Sequence, residues 1–495
     1  MSAYAELEAR FRRLGLLGGA SAMLHWDWAT MMPSGGAETR AAQLAELALI
    51  RHETLTDTRV SDLLDEAGAE TGVLDDWQRA NLARMWRRWR EAAALPGDLV
   101  GALSEASSHC EMVWREARPA SDFSAFARAF APLLALVREK AAALGEALDC
   151  TPYDGLIDSH EPGLRCATID PLFDDLADFL PEFLSRVQEA QAGTDAPAPP
   201  SAPVERQQAL AKRLMTALGF DFDHGRLDVS LHPFCGGSAG DIRITTRYDE
   251  ADVLSGLMGV LHETGHALYE SGLPGDWRYQ PVGQSGGMAL HESQSLLIEM
   301  QACRSRPFMR FLAPLLHEHL DGSGGTSADA EALYRRAIRV EPGCIRVDAD
   351  EVTYPAHIML RFRLERALIA DDLACDDIPG AWAEIHEALL GLRPENDDEG
   401  CLQDIHWSVG EFGYFPSYTI GALMAAQFFD AAIRNEPEVW PAIERGDFAP
   451  LLGWLRGNVH RLASRHESGE LLERATGAPI GTAIFKAHLA RRYLN

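Results

Sequence analysis

The chain of 495 residues has no apolar run of about 18 residues, the length that a membrane-spanning helix needs. Its first residues do not combine a basic stretch, a long apolar run and a small-residue cleavage site, so we expect no secretory signal peptide. The chain also has no excess of positive charge. Its formal net charge is −29 at pH 7, and such a surface repels the phosphates of nucleic acids. These absences predict a cytoplasmic protein that binds neither membranes nor nucleic acids.

The chain has no CxxC pair and no internal repeat. Its eight cysteines are scattered: Cys110, Cys150, Cys166, Cys235, Cys303, Cys344, Cys375 and Cys401. Such spacing is typical of free thiols in a reducing compartment and not of a disulfide framework. Hydrophobic residues make up 46% of the chain and charged residues 24%, which is normal for a globular protein.

Helical periodicity dominates the chain. In residues 168–190 the apolar side chains recur at the i, i+3, i+4, i+7 spacing of an amphipathic helix, and Asp170 followed by Pro171 predicts the helix start. Similar stripes predict helices at 122–147, 206–219, 329–339 and 379–392. The fold class is therefore predicted to be mainly α.

Two segments rich in glycine, proline and small polar residues interrupt the helical pattern. Residues 192–203, "AGTDAPAPPSAP", predict an exposed loop, and residues 321–328 predict another turn. The first of these could mark a domain boundary. Since helices of similar character flank it, we predict a loop inside one domain that spans 1–495.

One region alternates with a period of two, as strands do. Apolar and polar residues alternate in 227–234 and again in 241–248, and "CGGSAG" (235–240) between them indicates a turn. This pattern predicts a β-hairpin, and thus one small sheet in a helical protein.

The segment "GVLHETGHALYE" (259–270) carries His262 and His266 four residues apart, which places both imidazoles on one face of a helix. Together with Glu263 they form the HExxH arrangement of zinc peptidases. With 17 histidines in the chain, an accidental match has a probability of roughly a few per cent, and two solvent histidines need no metal. However, the apolar neighbours predict an embedded helix, whose imidazoles need partners, and a metal ion is one such partner.

A third protein ligand is expected from the next helical segment, "MALHESQSLLIEMQA" (288–302), because catalytic zinc takes three protein ligands and leaves one position open. Our choice is Glu292. Glu299 lies on the same segment, and Glu270 lies one turn beyond His266, where the geometry for a tetrahedral ion would be poorer. Without the HExxH motif, Glu292 would be read as a solvated helix carboxylate.

Several short motifs along the whole chain resemble one family, the carboxypeptidase Taq family of thermostable metallocarboxypeptidases. Each motif is weak alone, but their shared order is specific. They are "LHWDWATMMPSGGAETRAAQLAEL" (24–47), "HPF" (232–234), "DIRIT" (241–245), "HETGH" (262–266), "HESQ" (291–294), "IRVDAD" (345–350), "GCLQDIHW" (400–407) and "GYFPSY" (413–418).

The resemblance implies a large helical domain, similar to neurolysin and angiotensin-converting enzyme, with a deep active-site groove between two halves. It implies Zn²⁺, for which Co²⁺ can substitute, and a homodimer that removes single residues from peptide C-termini with broad specificity. By motif position, His262, His266 and Glu292 are the implied metal ligands and Glu263 the catalytic carboxylate.

The remaining site residues are assigned by chemistry within these motifs. Glu263 can take a proton from the attacking water and return it to the leaving amine. The oxyanion needs a further donor, for which we favour Tyr418 and then His406, while Tyr414 is placed among the substrate-binding residues. The alternative for each tyrosine is core packing with a satisfied hydroxyl.

An exopeptidase must also bind the free terminal carboxylate, and arginine suits this role because its planar fork matches a carboxylate. The candidates are Arg243, Arg346 and Arg361, of which we favour Arg346, with Asp348 and Asp350 to orient it. Alternatively, Arg346 is a structural ion-pair partner of those aspartates.

The strand "DIRIT" could expose an edge to which an extended peptide adds, which would ignore side chains and allow broad specificity. Alternatively, the sheet only closes the wall of the groove. Two other functions remain open: a metallo-endopeptidase or dipeptidase on the same scaffold, and a non-catalytic helical scaffold with a structural metal. Glu263 argues against the last, because a structural site has no use for a general base.

Overall fold

The structure, a computed structural model, describes residues 2–194, 198–230, 232–320 and 329–494. These residues form twenty α-helices and three short strands, so the predicted mainly α class with one small sheet is confirmed. The helices are α1 (Ala3–Thr30), α2 (Ala37–Thr56), α3 (Thr58–Ala69), α4 (Asp76–Ala94), α5 (Gly97–Ala120), α6 (Phe123–Leu148), α7 (Pro152–His160), α8 (Cys166–Gln191), α9 (Val204–Ala217), α10 (Val253–Gly272), α11 (Met288–Leu296), α12 (Arg306–Leu320), α13 (Ala330–Ala337), α14 (Tyr354–Ile369), α15 (Ile378–Leu390), α16 (Pro416–Asn435), α17 (Val439–Glu444), α18 (Ala449–Asn458), α19 (Ser468–Thr476) and α20 (Ala483–Tyr493). The strands are β1 (Gly225–Val229), β2 (Phe234–Ser238) and β3 (Asp241–Thr246). Within the described ranges, no helix is both long and apolar enough to cross a bilayer.

The chain forms two compact units. The first unit comprises Met1–Ala92, Asp195–Ala337 and Met424–Ile480, and the second unit comprises Ala93–Thr194, Ile338–Leu423 and Gly481–Asn495. One crossing between them falls after Thr194, within the segment 192–203 that was considered above as a domain boundary. The prediction of a single domain over 1–495 stays a prediction.

The predicted helices occur as α6, α8, α9, α13 and α15, and the predicted turn at 321–328 lies outside the described residues. The predicted start of α8 is wrong by one turn, because the helix begins at Cys166 and not at Asp170. The backbone N–H of Cys166 donates to the Asp154 carboxylate at 2.6 Å, which caps the new helix from the preceding one. A cap supplied by a distant residue leaves no local signal in the sequence.

The small sheet differs from the predicted hairpin. The strand order is β1-β3-β2, in which β1 runs parallel to β3 and β2 runs antiparallel to it. The "CGGSAG" segment, predicted as a turn, supplies most of β2, and only Ala239 and Gly240 separate β2 from β3. The reason is steric: a Cβ on Gly237 would meet the Asp241 carbonyl oxygen at 2.1 Å, so the glycine permits close strand pairing.

The expected free edge of "DIRIT" is also wrong. This segment forms β3, which lies at the centre of the sheet and is paired on both sides. A peptide that extends this sheet would have to pair with β1 or β2.

Helix α10, which carries the HExxH motif, lies in the first unit against β3, α9 and α11. Thirteen of its twenty residues are buried, as the apolar neighbours predicted. Its approach to α11 is close at Gly265, where an added Cβ would meet the Gln294 carbonyl oxygen and the Ser295 Cα, both at 2.6 Å. The glycine between the two histidines therefore lets the backbone of α11 reach the motif.

We expect Gly265→Ala to destabilise the protein by about 1–3 kcal/mol. The added methyl group would collide with backbone atoms of α11, which cannot move aside as a flexible side chain could. Gly259→Ala is the matched control on the same helix, since its Cβ meets nothing within 4 Å. That variant should gain about 0.5–1 kcal/mol from better helix propensity. Denaturant unfolding of the three proteins measures both effects, and equal stabilities for the two variants would contradict the close contact.

Candidate metal centre

Three potential metal ligands converge in the first unit. Helix α10 contributes His262 and His266, and α11 contributes Glu292. The Glu292 Oε2 lies 3.9 Å from the His262 Nε2 and 3.5 Å from the His266 Nε2. One donor atom from each residue lies within 4.8 Å of the others. The structure thus brings together the three residues that were predicted as ligands.

The other ring nitrogen of His262 has its own partner. Its Nδ1 lies 3.0 Å from the Glu299 Oε2, and the Glu299 Oε1 accepts a bond from the Arg304 Nη2 at 2.8 Å. Since a carboxylate only accepts, the Nδ1–H of His262 donates to Glu299, which leaves Nε2 on the side of Glu292, where a metal ion would replace its proton.

His266 is held by a different chain of partners. Its Nδ1 lies 2.7 Å from the His291 Nδ1, and the His291 Nε2 lies 2.9 Å from the Glu270 Oε1. The simplest proton arrangement gives His291 a proton on Nε2, which it donates to Glu270. His266 then donates its Nδ1–H to His291, so its Nε2 is left with a free lone pair.

This donor set fits a divalent cation. A tetrahedral ion with bonds of about 2.0–2.1 Å separates its ligand atoms by roughly 3.3 Å, close to the spacings around Glu292. The electrostatics agree. Burial disfavours a charged imidazole, but the charges of Glu292, Glu263 and Glu299 outweigh it and raise the pKa of His262 to about 10. A site that attracts a proton this strongly also attracts a metal cation.

Glu263 lies beside these residues and is 7% exposed. Burial raises its pKa to about 7, which the opposing charge of His262 reduces only in part. A carboxylate with a pKa near neutrality can both accept and return a proton at physiological pH. The arrangement can therefore support hydrolysis in which a metal and a general base act together.

Known proteins resemble this chain over almost its whole length. Residues 6–493 match the family described as carboxypeptidase Taq (M32) metallopeptidase. The chain belongs to this family. Thermostable carboxypeptidase 1 of Thermus thermophilus is 39% identical over 99% of this chain and 98% of its own length, and carboxypeptidase 1 of Bacillus subtilis is 32% identical over 98% and 96%. The solved structure of Trypanosoma cruzi metallocarboxypeptidase 1 superposes with a TM-score of 0.96 at 40% identity, covering 100% of this chain and 99% of that one.

Membership of the M32 family confirms the family resemblance and the prediction of an enzyme, a metallocarboxypeptidase. It also implies that a divalent metal ion belongs to the enzyme. The roles of the individual site residues stay predictions.

The other predicted catalytic residues of this M32 enzyme lie in the second unit. The ring centroids of Tyr414 and Tyr418 are 5.3 Å apart, and His406 lies 5.7 Å from the first and 6.5 Å from the second. The Nδ1 of His406 is buried without a hydrogen-bond partner among the described residues. Burial, reinforced by nearby arginines, lowers the pKa of His406 to about 4, so the ring is neutral at pH 7.

Arg346 belongs to the same cluster, with its Cζ 5.2 Å from the centre of the Tyr418 ring. Its expected orientation by Asp348 and Asp350 is wrong. The guanidinium donates to Asp404 from Nε at 2.9 Å and from Nη2 at 2.7 Å, and its Nη1 donates to the Tyr354 hydroxyl at 3.0 Å. The Asp350 carboxylate instead accepts backbone N–H groups.

The two alternative arginines are also paired. Arg361 is fully buried in the second unit and donates to the other oxygen of Asp404 at 2.6 Å. Arg243 lies on β3 in the first unit, where it binds Asp241 through two hydrogen bonds and stacks over Trp26 at 4.5 Å. All three candidates for the carboxylate clamp therefore already have a carboxylate partner.

Sequence reasoning missed one organising residue in each unit, Arg304 in the first and Asp404 in the second. Asp404, within the "GCLQDIHW" motif, joins Arg346 and Arg361 although it stands 58 and 43 residues from them, respectively. Arg304 supports Glu299, but nothing in its local sequence separates it from an ordinary helix arginine. The motif "GCLQDIHW" is the sequence feature that could have identified Asp404.

We expect Glu292→Ala to lower the affinity for a divalent metal more than 10–100-fold, which is roughly the loss when a residue that hydrogen-bonds to a ligand is removed. Two imidazoles alone hold zinc poorly, since a catalytic site uses three protein ligands. Glu270→Gln and Glu299→Gln are the matched comparisons, because each changes a carboxylate of the same cluster. Competition with a chelator measures the three affinities. Full metal occupancy of Glu292→Ala at sub-micromolar free zinc would point to Glu270 or Glu299 as the ligand.

Proposed function

We propose that the protein is a zinc-dependent carboxypeptidase that releases single C-terminal residues from peptides with broad specificity. The observation that carries the proposal is the convergence of His262, His266 and Glu292 next to the buried Glu263. Family membership supports the carboxypeptidase reaction. Broad specificity, a homodimer and a cytoplasmic location are predictions from the family resemblance and the sequence.

The chemistry of the donor set supports zinc as the metal. Two imidazole nitrogens and one carboxylate oxygen match the three protein ligands of zinc peptidases, and they leave a position for water or substrate. Co²⁺ accepts similar donors and is the expected substitute. Glu299 accepts the Nδ1–H of His262, and His291, backed by Glu270, accepts the Nδ1–H of His266. Both imidazoles are thereby kept in the tautomer whose Nε2 binds a metal.

Peptide hydrolysis at this site would use the metal ion and Glu263 together. A bound divalent cation supplies Lewis acidity, which makes water a better nucleophile near neutral pH. Glu263 accepts the proton of the attacking water and later delivers it to the amine of the departing residue. Burial of Glu263 matters here, because it raises the pKa of the carboxyl and so makes the carboxylate a stronger base.

The oxyanion that forms during attack needs a hydrogen-bond donor, and we propose Tyr418 first and His406 second. Both belong to family motifs, and Tyr414 beside them is proposed to contact the substrate. The neutral state of His406 at pH 7 is consistent with a donor through one ring N–H. Packing of Tyr418 among aromatic rings and Arg346 equally fits a structural role, so its assignment depends on mutation.

We expect Glu263→Gln to keep the metal and to lower kcat by about 10²–10⁴-fold, because an amide cannot exchange the proton. Metal analysis of the purified variant and mass spectrometry of a peptide mixture measure the two properties. Wild-type protein should produce a ladder that shortens peptides by one residue from the C-terminus. Internal cuts would favour the endopeptidase alternative, and no cleavage by metal-loaded protein would favour the non-catalytic scaffold.

We propose Arg346 as the clamp for the terminal carboxylate. The Arg346→Ala variant should therefore lose about 2 kcal/mol or more of transition-state binding, roughly thirtyfold in kcat/KM for free-acid peptides. The metal content should stay intact. Peptides amidated at the C-terminus, which wild type should cleave poorly, should be affected much less.

Arg339→Ala is the control for this experiment, since the partly exposed Arg339 of the same unit pairs with the exposed Glu341 and not with Asp404. If wild type cleaves amidated and free-acid peptides equally well, the enzyme has no clamp and the endopeptidase alternative is favoured. If Arg346→Ala behaves like Arg339→Ala, then Arg346 is a structural partner of Asp404. Arg243 would be the next candidate.

A further inference from the structure

The helix that carries Glu292 does not continue as a regular α-helix. After α11 ends at Leu296, residues Leu297–Cys303 form a π-helical segment. The backbone N–H of Arg304 donates to the Glu299 carbonyl at 3.0 Å, a bond between residues five apart. In a regular α-helix, residues five apart lie about 140° from each other around the axis. The wider turn stacks Arg304 above Glu299 on one side of the helix, and such segments are frequent at functional sites.

This stacking brings the side chains into a direct contact. The Arg304 Nη2 donates to the Glu299 Oε1 at 2.8 Å, while the other oxygen of Glu299 lies 3.0 Å from the His262 Nδ1. The Arg304 Nη1 also donates to the Ala337 carbonyl at 3.1 Å, at the end of α13. The Glu299 side chain is only 10% exposed, so water contributes little to holding its charge.

We propose that Arg304 is a positioning residue for the metal: it fixes one oxygen of the buried Glu299, whose other oxygen in turn orients the imidazole of His262. This inference rests on the proposed role of His262 as a ligand. An acceptor held firmly at Nδ1 fixes the orientation of the His262 ring and so presents Nε2 to the metal. Fixation of Arg304 by the Ala337 carbonyl gives Glu299 a rigid support.

The sign of the effect separates positioning from simple electrostatics. Removal of a positive charge near a cation site would by itself strengthen binding of a divalent cation, because repulsion is lost. If Arg304 acts by positioning, its removal should instead weaken binding. The metal affinity of the site therefore reports which of the two dominates.

The experiment measures the affinity of Arg304→Gln for Zn²⁺ and Co²⁺ by chelator competition, together with the visible spectrum of the Co²⁺ form. We expect affinity to fall about 10–100-fold and the spectrum to change, as is usual when an outer partner is lost. Arg304→Lys keeps one donor and the charge, and should lose less. Arg306→Gln removes the same charge two residues away, where Arg306 pairs with Glu331 at the surface, and should bind as wild type does. Unchanged or tighter binding by Arg304→Gln would overturn the proposal.

A double-mutant cycle tests the route of the effect. In the Glu299→Gln background, Arg304→Gln should add little, since the residue through which it acts is already changed. Full additivity would overturn the proposal. Thermal unfolding of the metal-free proteins checks that the variants are folded. If Arg304→Gln does not fold, Arg304→Lys and Glu299→Gln are compared instead. The variant His262→Ala tests the proposed metal site separately. If His262→Ala retains the metal affinity of wild type, the assignment of His262 as a ligand is wrong. If His262→Ala loses affinity while Arg304→Gln does not, only the positioning role of Arg304 is wrong.

Discussion

The metal centre depends on one steric constraint, the approach of two helix backbones at Gly265. The residue stands between His262 and His266, and its missing side chain leaves space for the backbone of α11 at Gln294 and Ser295. Because α11 lies this close, Glu292 reaches the Nε2 atoms of both histidines from across the interface. Any residue with a Cβ would separate the helices and move the third ligand away. The spacing of the HExxH motif therefore places two ligands, and the glycine within the motif permits the approach of the helix that carries the third.

Around this contact the protein gathers four glutamates. Glu263, Glu292, Glu299 and Glu270 all lie in one cluster, and their charges would repel one another without compensation. Hydrogen bonds to the imidazoles and the guanidinium of Arg304 compensate in part, and a divalent cation would supply the rest. The second unit uses the opposite arrangement, in which Asp404 lies between two buried arginines. In both places the paired carboxylates Glu292, Glu299, Glu270 and Asp404 lie against groups that can carry a positive charge, as burial requires.

The helices and the central motif could be predicted from sequence because both depend on short-range periodicity. Apolar residues at helical spacing identified α6, α8 and α9, and residues four apart must share a helical face whatever surrounds them. The sheet was predicted less well. Its strands are five or six residues long, and Gly236 and Gly237 suggested a turn although they lie in β2. Glycine has the same signature in a turn as at a close approach of two strands, so the sequence pattern could not separate the two.

What the sequence by itself determined is the set of reactive groups: two imidazoles one helical turn apart, a carboxylate beside them, and a second helix that carries Glu292. These follow from local geometry, which is the same in any helix. Only the tertiary structure decided which groups meet. It chose Asp404 over Asp348 and Asp350 as the partner of Arg346, and it placed Glu299, Glu270 and His291 behind the ligands. Partners far apart in sequence are selected by the packing of helices and by the energy of leaving a buried charge alone, and neither of these is encoded in the spacing of a motif.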